Sequence, residues 1–240
     1  MDWKRYEEMW DKHAPSQEKL EYFLFLQFVE SYFQMRGVTK PLVVEIGVRG
    51  VAQAKFYTEL LGAEYIGLDI QAKKWDFIIQ GDSTDPATLQ KLKDKLGGRQ
   101  IDLLFIDGWH TYDVAKSDWD MYSPLAKHLV AIHDINWKIN YYPDSLKHNP
   151  NGPQPSVGKL WDELDVEGRS MLSFRCPGTI TIEEEDGSST KYFGDPGIGV
   201  VLVDRGEYEN RWTFKRVNFD KMWGVDGRAY PRFGQIGGKK

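Results

Sequence analysis

The 240 residues suffice for one well-buried domain with additions, and 31 basic against 36 acidic side chains, a net charge of −5 with no basic run longer than two residues, leave no electrostatic footprint for nucleic acid. The single cysteine, Cys176, excludes an internal disulfide framework and fits a reducing compartment. The first residues are too charged for a signal peptide. The longest apolar stretch, Tyr22 to Val29 with Gln27 inside it, is far too short to span a bilayer, so a soluble cytoplasmic protein without a membrane partner is expected.

Residues 1–40 read as an N-terminal helical extension. Ser16 is a fitting N-cap, and Leu20, Phe23, Leu24, Phe28 and Phe33 form an apolar stripe over a helix at 16–36. That stripe would pack on a sheet or carry a homo-oligomer. From Pro41 onward the pattern alternates: strand 42–46, helix 51–62, strands 64–69 and 76–80, helix 86–95, strand 101–106, helix 111–126 and strand 129–134. Such alternation predicts a doubly wound parallel α/β sheet. In helix 111–126, Ala115, Trp119 and Tyr122 would face the core, with Asp113, Asp118 and Asp120 on a solvated face.

After Asp134 the periodicity stops. The Asn-, Pro- and Tyr-rich stretch 136–156 reads as a lid or substrate loop, with Trp137, Tyr141 and Tyr142 either stacking on an acceptor or tethering the loop. A helix at 157–164 and a strand at 171–174 follow, then a hairpin insertion at 179–194 turning at Asp186-Gly187, and a strand at 198–203 that would close a domain spanning 41–204. Residues 205–240 form a tail with a candidate strand at 212–217.

Parallel sheets bind ligands beyond the carboxyl ends of their strands. Glu45, Gly47, Gly50, Asp69, Asp82, Asp107 and Asp134 all fall there. The glycines allow a tight turn and close approach of a ligand, and Asp69 is placed to accept hydrogen bonds from ribose hydroxyls. The spacing Gly47-x-x-Gly50 is not the G-x-G-x-x-G of a pyrophosphate site, and Glu45 would repel a diphosphate while welcoming an aminoacyl or sulfonium cation. S-adenosylmethionine is thereby favoured over NAD, with Asp82 and Ser83 at the adenine edge.

Glu45-Ile46-Gly47, Gly67-Leu68-Asp69, Gly81-Asp82-Ser83, Asp107-Gly108-Trp109-His110-Thr111-Tyr112 and His133-Asp134 resemble class I S-adenosylmethionine-dependent methyltransferases. Within that class they are similar to the branch of cephalosporin hydroxylase-like proteins and macrocin-type sugar O-methyltransferases, over roughly residues 18–204. The resemblance implies a Rossmann-like, mostly parallel seven-stranded sheet. It also implies an O-methyltransferase acting on a hydroxyl of a small acceptor such as a sugar. A divalent metal, usually magnesium, would be held at Asp107 and at the pair His133 and Asp134. Relatives carry an acidic pair at the last two positions. A histidine there either does not ligate or moves preference toward manganese or another softer ion. Trp109 stands where relatives often have an acidic base, which leaves His110 as the proton-handling candidate, against a plain role at the start of the helix. The rival expectations are a cephalosporin hydroxylase-like or NAD-dependent oxidoreductase, and a cofactor-binding module without turnover.

Overall fold

The computed structural model describes residues 1–13, 15–71, 74–136, 139–140, 154–167, 169–175, 178–183, 189–194 and 197–203. Two helices, α1 (Trp3–His13) and α2 (Lys19–Arg36), precede β1 (Leu42–Ile46), α3 (Ala52–Leu60), β2 (Glu64–Asp69), β3 (Ile78–Gln80) and α4 (Pro86–Leu96). Next come β4 (Ile101–Ile106), α5 (Tyr112–Tyr122), a 3-10 turn (Ser123–Leu125) and β5 (Ala126–His133). The short pair β6 (Ile139–Asn140) and β7 (Gln154–Pro155) leads into α6 (Val157–Val166), β8 (Met171–Phe174), β9 (Gly178–Glu183), β10 (Ser189–Gly194) and β11 (Ile198–Leu202).

Seven strands form one sheet in the order β3-β2-β1-β4-β5-β11-β8. β1 pairs in parallel with both β2 and β4, and β11 runs antiparallel to its neighbours β5 and β8. This is the expected doubly wound, mostly parallel sheet, with its crossover between β1 and β4. The central strands read as near-continuous apolar runs because both faces are covered. Val44, Ile46, Leu104, Ile106 and Ile132 pack with Leu92, Trp119, Leu160 and Trp161 of α4, α5 and α6. Val43, Tyr65, Leu103, Phe105 and Val200 pack with Tyr6, Phe25, Leu26, Val29 and Phe56 of α1, α2 and α3. Burying each such side chain contributes about 1.5–3 kcal/mol.

Several expectations need correction. The helix at 16–36 begins at Lys19 with Glu18 as N-cap, and Ser16 is exposed outside it. Helix α1, which the sequence pattern does not resolve within the extension, stands on an aromatic cluster in which Tyr6 meets Trp3, Trp10, Phe23 and Phe56. α2 packs on the sheet. The helix at 111–126 stops at Tyr122, because Pro124 has no N–H to continue the helical hydrogen-bond ladder and the chain tightens into the 3-10 turn with Ser123 still in helical geometry. Asp118 is fully buried instead of solvated, since it shares the core-facing stripe of Ala115, Trp119 and Tyr122.

Strands β9 and β10 pair antiparallel with Ser189 opposite Glu183, as a hairpin separate from the main sheet. Its turn at Asp186-Gly187, the loop aromatics Trp137, Tyr141 and Tyr142, and the tail 205–240 lie outside the described residues. Ile139 pairs with Pro155, which brings the ends of the 136–156 segment together. Among the described residues no helix is long and apolar enough to cross a membrane.

Candidate cofactor and metal site

The turn after β1 seats directly on the end of β4. Gly47 has φ +86°, and a Cβ there would lie 2.1 Å from the Asp107 carbonyl oxygen, so only glycine fits. Gly50 carries no such demand: the left-handed residues are Arg49 (φ 44°) and Val51 (φ 56°), and a Cβ at Gly50 meets open space. A β-branched residue in this conformation is strained by about 1–3 kcal/mol, a feature that clusters at ligand sites. Val51 precedes α3 without a side-chain cap, leaving the first-turn amides of α3 uncapped by it and suited to an anion such as a cofactor carboxylate.

Asp69 ties this turn to the end of β2. Its Oδ2 accepts from the Arg49 amide at 2.9 Å and its Oδ1 from the Gln71 amide at 2.7 Å. Glu45 lies beneath, closed to solvent, and accepts a hydrogen bond from the Tyr65 hydroxyl. Its Oε1 has no hydrogen-bond partner, and burial, with the nearby charges of Asp107 and Asp69, drives its carboxyl well above the usual range. An uncompensated buried carboxyl is costly, and a sulfonium or ammonium group nearby would offset it.

Along the same edge, Asp82 Oδ1 accepts from the Thr84 amide at 2.9 Å and hydroxyl at 2.7 Å, and the Ser83 carbonyl accepts from the Tyr122 hydroxyl at 2.8 Å. Asp118 lies beside Ser83, and burial pushes its carboxyl up to about 7. Sequence reasoning missed this residue, although its spacing from Ala115 and Tyr122 already put it on the buried stripe.

At the ends of β4 and β5, ligand atoms of Asp107, His110 and Asp134 lie within 4.8 Å of one another, the one such cluster found among the described residues. His110 Nε2 is 3.1 Å from Asp134 Oδ2 and 3.6 Å from Asp107 Oδ1. Asp134 is aimed inward by a left-handed backbone, φ 60°, which aspartate tolerates better than most residues. His133 stands behind the cluster. Its Nδ1 is 3.2 Å from Asp107 Oδ1 and 3.4 Å from Asp134 Oδ1, and its Nε2 faces Glu21 Oε1 at 3.7 Å. The structure thus puts His110, read as the base, among the converging atoms, and His133, read as a ligand, against the buried side.

The charges interlock. Burial alone would raise the Asp107 carboxyl, but the imidazoles of His133 and His110 outweigh it and hold Asp107 well below the usual carboxylate range. Burial likewise works against a charged His110 or His133, yet the Asp134 and Asp107 carboxylates raise both, His133 well above the ordinary value. Two carboxylates with adjacent imidazoles form a donor set that fits a divalent cation, manganese or a softer ion more readily than an all-oxygen site would.

No known protein-family description matches the chain, and no curated protein sequence does. Solved structures do. The MycE methyltransferase of the mycinamycin biosynthetic pathway, in complex with Mg and SAH, superposes with a TM-score of 0.52 at 18% identity, covering 82% of this chain and 53% of that one. The same enzyme with Mg, SAH and mycinamycin VI gives 0.52 at 18% identity, over 84% and 56%. An O-methyltransferase from Bacillus cereus in complex with SAH gives 0.50 at 14% identity, over 85% and 92%. The chain spans about half the length of MycE. These likenesses establish the fold, which is the Rossmann-like fold of class I methyltransferases.

Proposed function

We propose that this chain is an S-adenosylmethionine-dependent O-methyltransferase that acts, with a divalent cation, on a hydroxyl of a small acceptor. The observation that carries the reading is the convergence of Asp107, His110 and Asp134 at the ends of β4 and β5, beside the β1 turn that Gly47 seats and Asp69 ties down. When bound, S-adenosylmethionine supplies an activated methyl group, and a cation supplies positive charge that favours a deprotonated acceptor oxygen.

Each residue then has a task. Asp69 accepts hydrogen bonds from the ribose, Asp82 and Ser83 border the adenine, and Glu45 balances the cofactor's positive charge from below. Gly47 and Gly50 leave room for its backbone-like end. Asp107 and Asp134 hold the cation. His110 is the most exposed of the cluster, with 23% of its side chain accessible against 9% for His133 and 5% for Asp134. An acceptor hydroxyl can therefore reach it, and its Nε2 would take the proton, the cation's charge offsetting the two carboxylates that raise the ring's affinity for it. Oxygen and sulfonium charges neutralise in the transfer, so the protein contributes chiefly by positioning and water exclusion.

A second reading makes His110 a nitrogen ligand of the cation, favoured by its place within the 4.8 Å cluster. His110→Ala separates the two: as a base its loss lowers turnover without weakening metal binding, and as a ligand it weakens metal binding. The overall proposal is tested by calorimetry with S-adenosylhomocysteine and NADH, followed by transfer of labelled methyl groups to a panel of glycosides and phenols. Preferential NADH binding would replace the methyltransferase by an oxidoreductase. Stoichiometric S-adenosylhomocysteine binding without transfer to any acceptor would leave a binding module.

A further inference from the structure

The segment ahead of the sheet reaches into the cluster at two points. Gln17, in the linker between α1 and α2, is buried, and its Nε2 donates to Asp107 Oδ2 at 2.8 Å across 90 residues of sequence. Its Oε1, also enclosed, has no hydrogen-bond partner. One turn further on, Glu21 projects from the sheet-facing side of α2 with 0% exposure. Its Oε2 accepts from the Gly197 amide at 3.1 Å, and its Oε1 lies 3.7 Å from His133 Nε2. Gly197 itself, at φ +76°, sits against Ile135 and Asn136, immediately after Asp134.

We infer that Gln17 and Glu21 are positioning residues of the metal centre, so that the N-terminal helices complete the site as well as the fold. This rests on the reading of Asp107 and Asp134 as cation ligands. The chemistry follows from geometry. Asp107 has two oxygens, and Gln17 occupies Oδ2, which turns Oδ1 toward His133 and His110, the side on which Asp134 lies. A carboxylate free to rotate would spend part of its time with neither oxygen there. Glu21 acts one step back: its carboxylate places negative charge 3.7 Å from His133 Nε2 and, by accepting the Gly197 amide, braces the turn that aims Asp134. A core position would ordinarily take an apolar residue, because burying a carboxylate without need is costly. Loss of a residue that orients a metal ligand in this way typically costs about 10–100-fold in metal affinity or activity.

The test measures Mn²⁺ binding by calorimetry and by the ion's paramagnetic resonance, on the full chain with S-adenosylhomocysteine present. The proteins compared are the wild type, Gln17→Ala, Glu21→Gln, the exposed-site control Ser16→Ala, and Asp107→Asn. Thermal melts without metal are recorded in parallel. Gln17→Ala and Glu21→Gln are expected to weaken Mn²⁺ binding by about 10-fold or more, with Ser16→Ala unchanged and Gln17→Ala still melting cooperatively without metal. Since Gln17 lies in a linker, its variant decides the question even if Glu21→Gln folds poorly. Wild-type affinity within about two-fold in Gln17→Ala, while Asp107→Asn abolishes binding, overturns the inference and leaves the metal reading intact. If the wild type binds no Mn²⁺, or Asp107→Asn binds it as tightly, the metal reading fails and the inference fails with it.

Discussion

Asp118 gives a prediction that depends on the fold and not on any ligand. Its carboxyl is fully enclosed beside Ser83, and burial lifts it from the ordinary 3.8 to about 7. A difference of that size corresponds to roughly 4 kcal/mol between the protonated and ionised forms. The sign follows from linkage. The native state keeps the Asp118 proton between about pH 4 and pH 7 whereas the unfolded chain releases it, so stability contributed by this group falls as pH rises through that window. Asp118→Asn replaces the carboxyl by a neutral group of the same shape and removes the penalty. Urea unfolding of both proteins at pH 4.5 and pH 8 should show the variant ahead by only about 1 kcal/mol at the lower pH and by up to roughly 4 kcal/mol at the higher, water entry making the real figure smaller. Other buried titrating groups are common to both proteins and cancel in the difference. A gap between variant and wild type that does not change with pH would refute the argument.

The remaining predictions concern the site. Asp69→Ala should weaken S-adenosylhomocysteine binding by about 1.5–3 kcal/mol in calorimetry, since a charged hydrogen-bonding group is lost; unchanged affinity would remove Asp69 from the ribose position. Because Asp134 and Asp107 raise the proton affinity of His110 and His133, metal binding should release protons and weaken as pH falls, which calorimetry in buffers of different ionisation enthalpy would detect. His110→Ala should lower turnover by roughly 10²-fold and erase a pH limb near neutrality. His133→Asp should shift the preferred ion toward magnesium, as oxygen replaces nitrogen beside the carboxylates, and an unchanged metal profile would leave His133 a purely structural partner of Glu21.

What is legible in the sequence follows from how each feature is encoded. β1, β2 and β4 are readable to the residue because strands covered on both faces are apolar along most of their length, while β8, half-buried at the sheet edge, is marked by its short run Met171–Phe174 alone. Gly47 is readable as a turn, though its actual constraint, the backbone of Asp107, lies on another strand. α1 is hidden because Trp3, Tyr6, Met9 and Trp10 are interleaved with charges, and only the aromatic side chains of α2 and α3 make them a core. Asp118 is misplaced by sequence reasoning because an acidic residue on a helix is normally solvated. Gln17 and Glu21 leave no local signal: their partners are 90 and 176 residues away, and no periodicity reports a pairing at that range. The way both His110 and His133 face Asp107 and Asp134 has the same origin, since spacing fixes where a residue lies along the chain but not which ring nitrogen meets which carboxylate.

The most direct test of the account is transfer of a labelled methyl group from S-adenosylmethionine to a hydroxylated acceptor panel by the wild type, by EDTA-treated enzyme and by Asp107→Asn. The account predicts a methylated product from the wild type, loss of turnover on chelation with recovery on adding Mg²⁺ or Mn²⁺, and little activity in Asp107→Asn, because the cation is expected to supply several kcal/mol. Turnover that survives both EDTA and Asp107→Asn within a few-fold would contradict it.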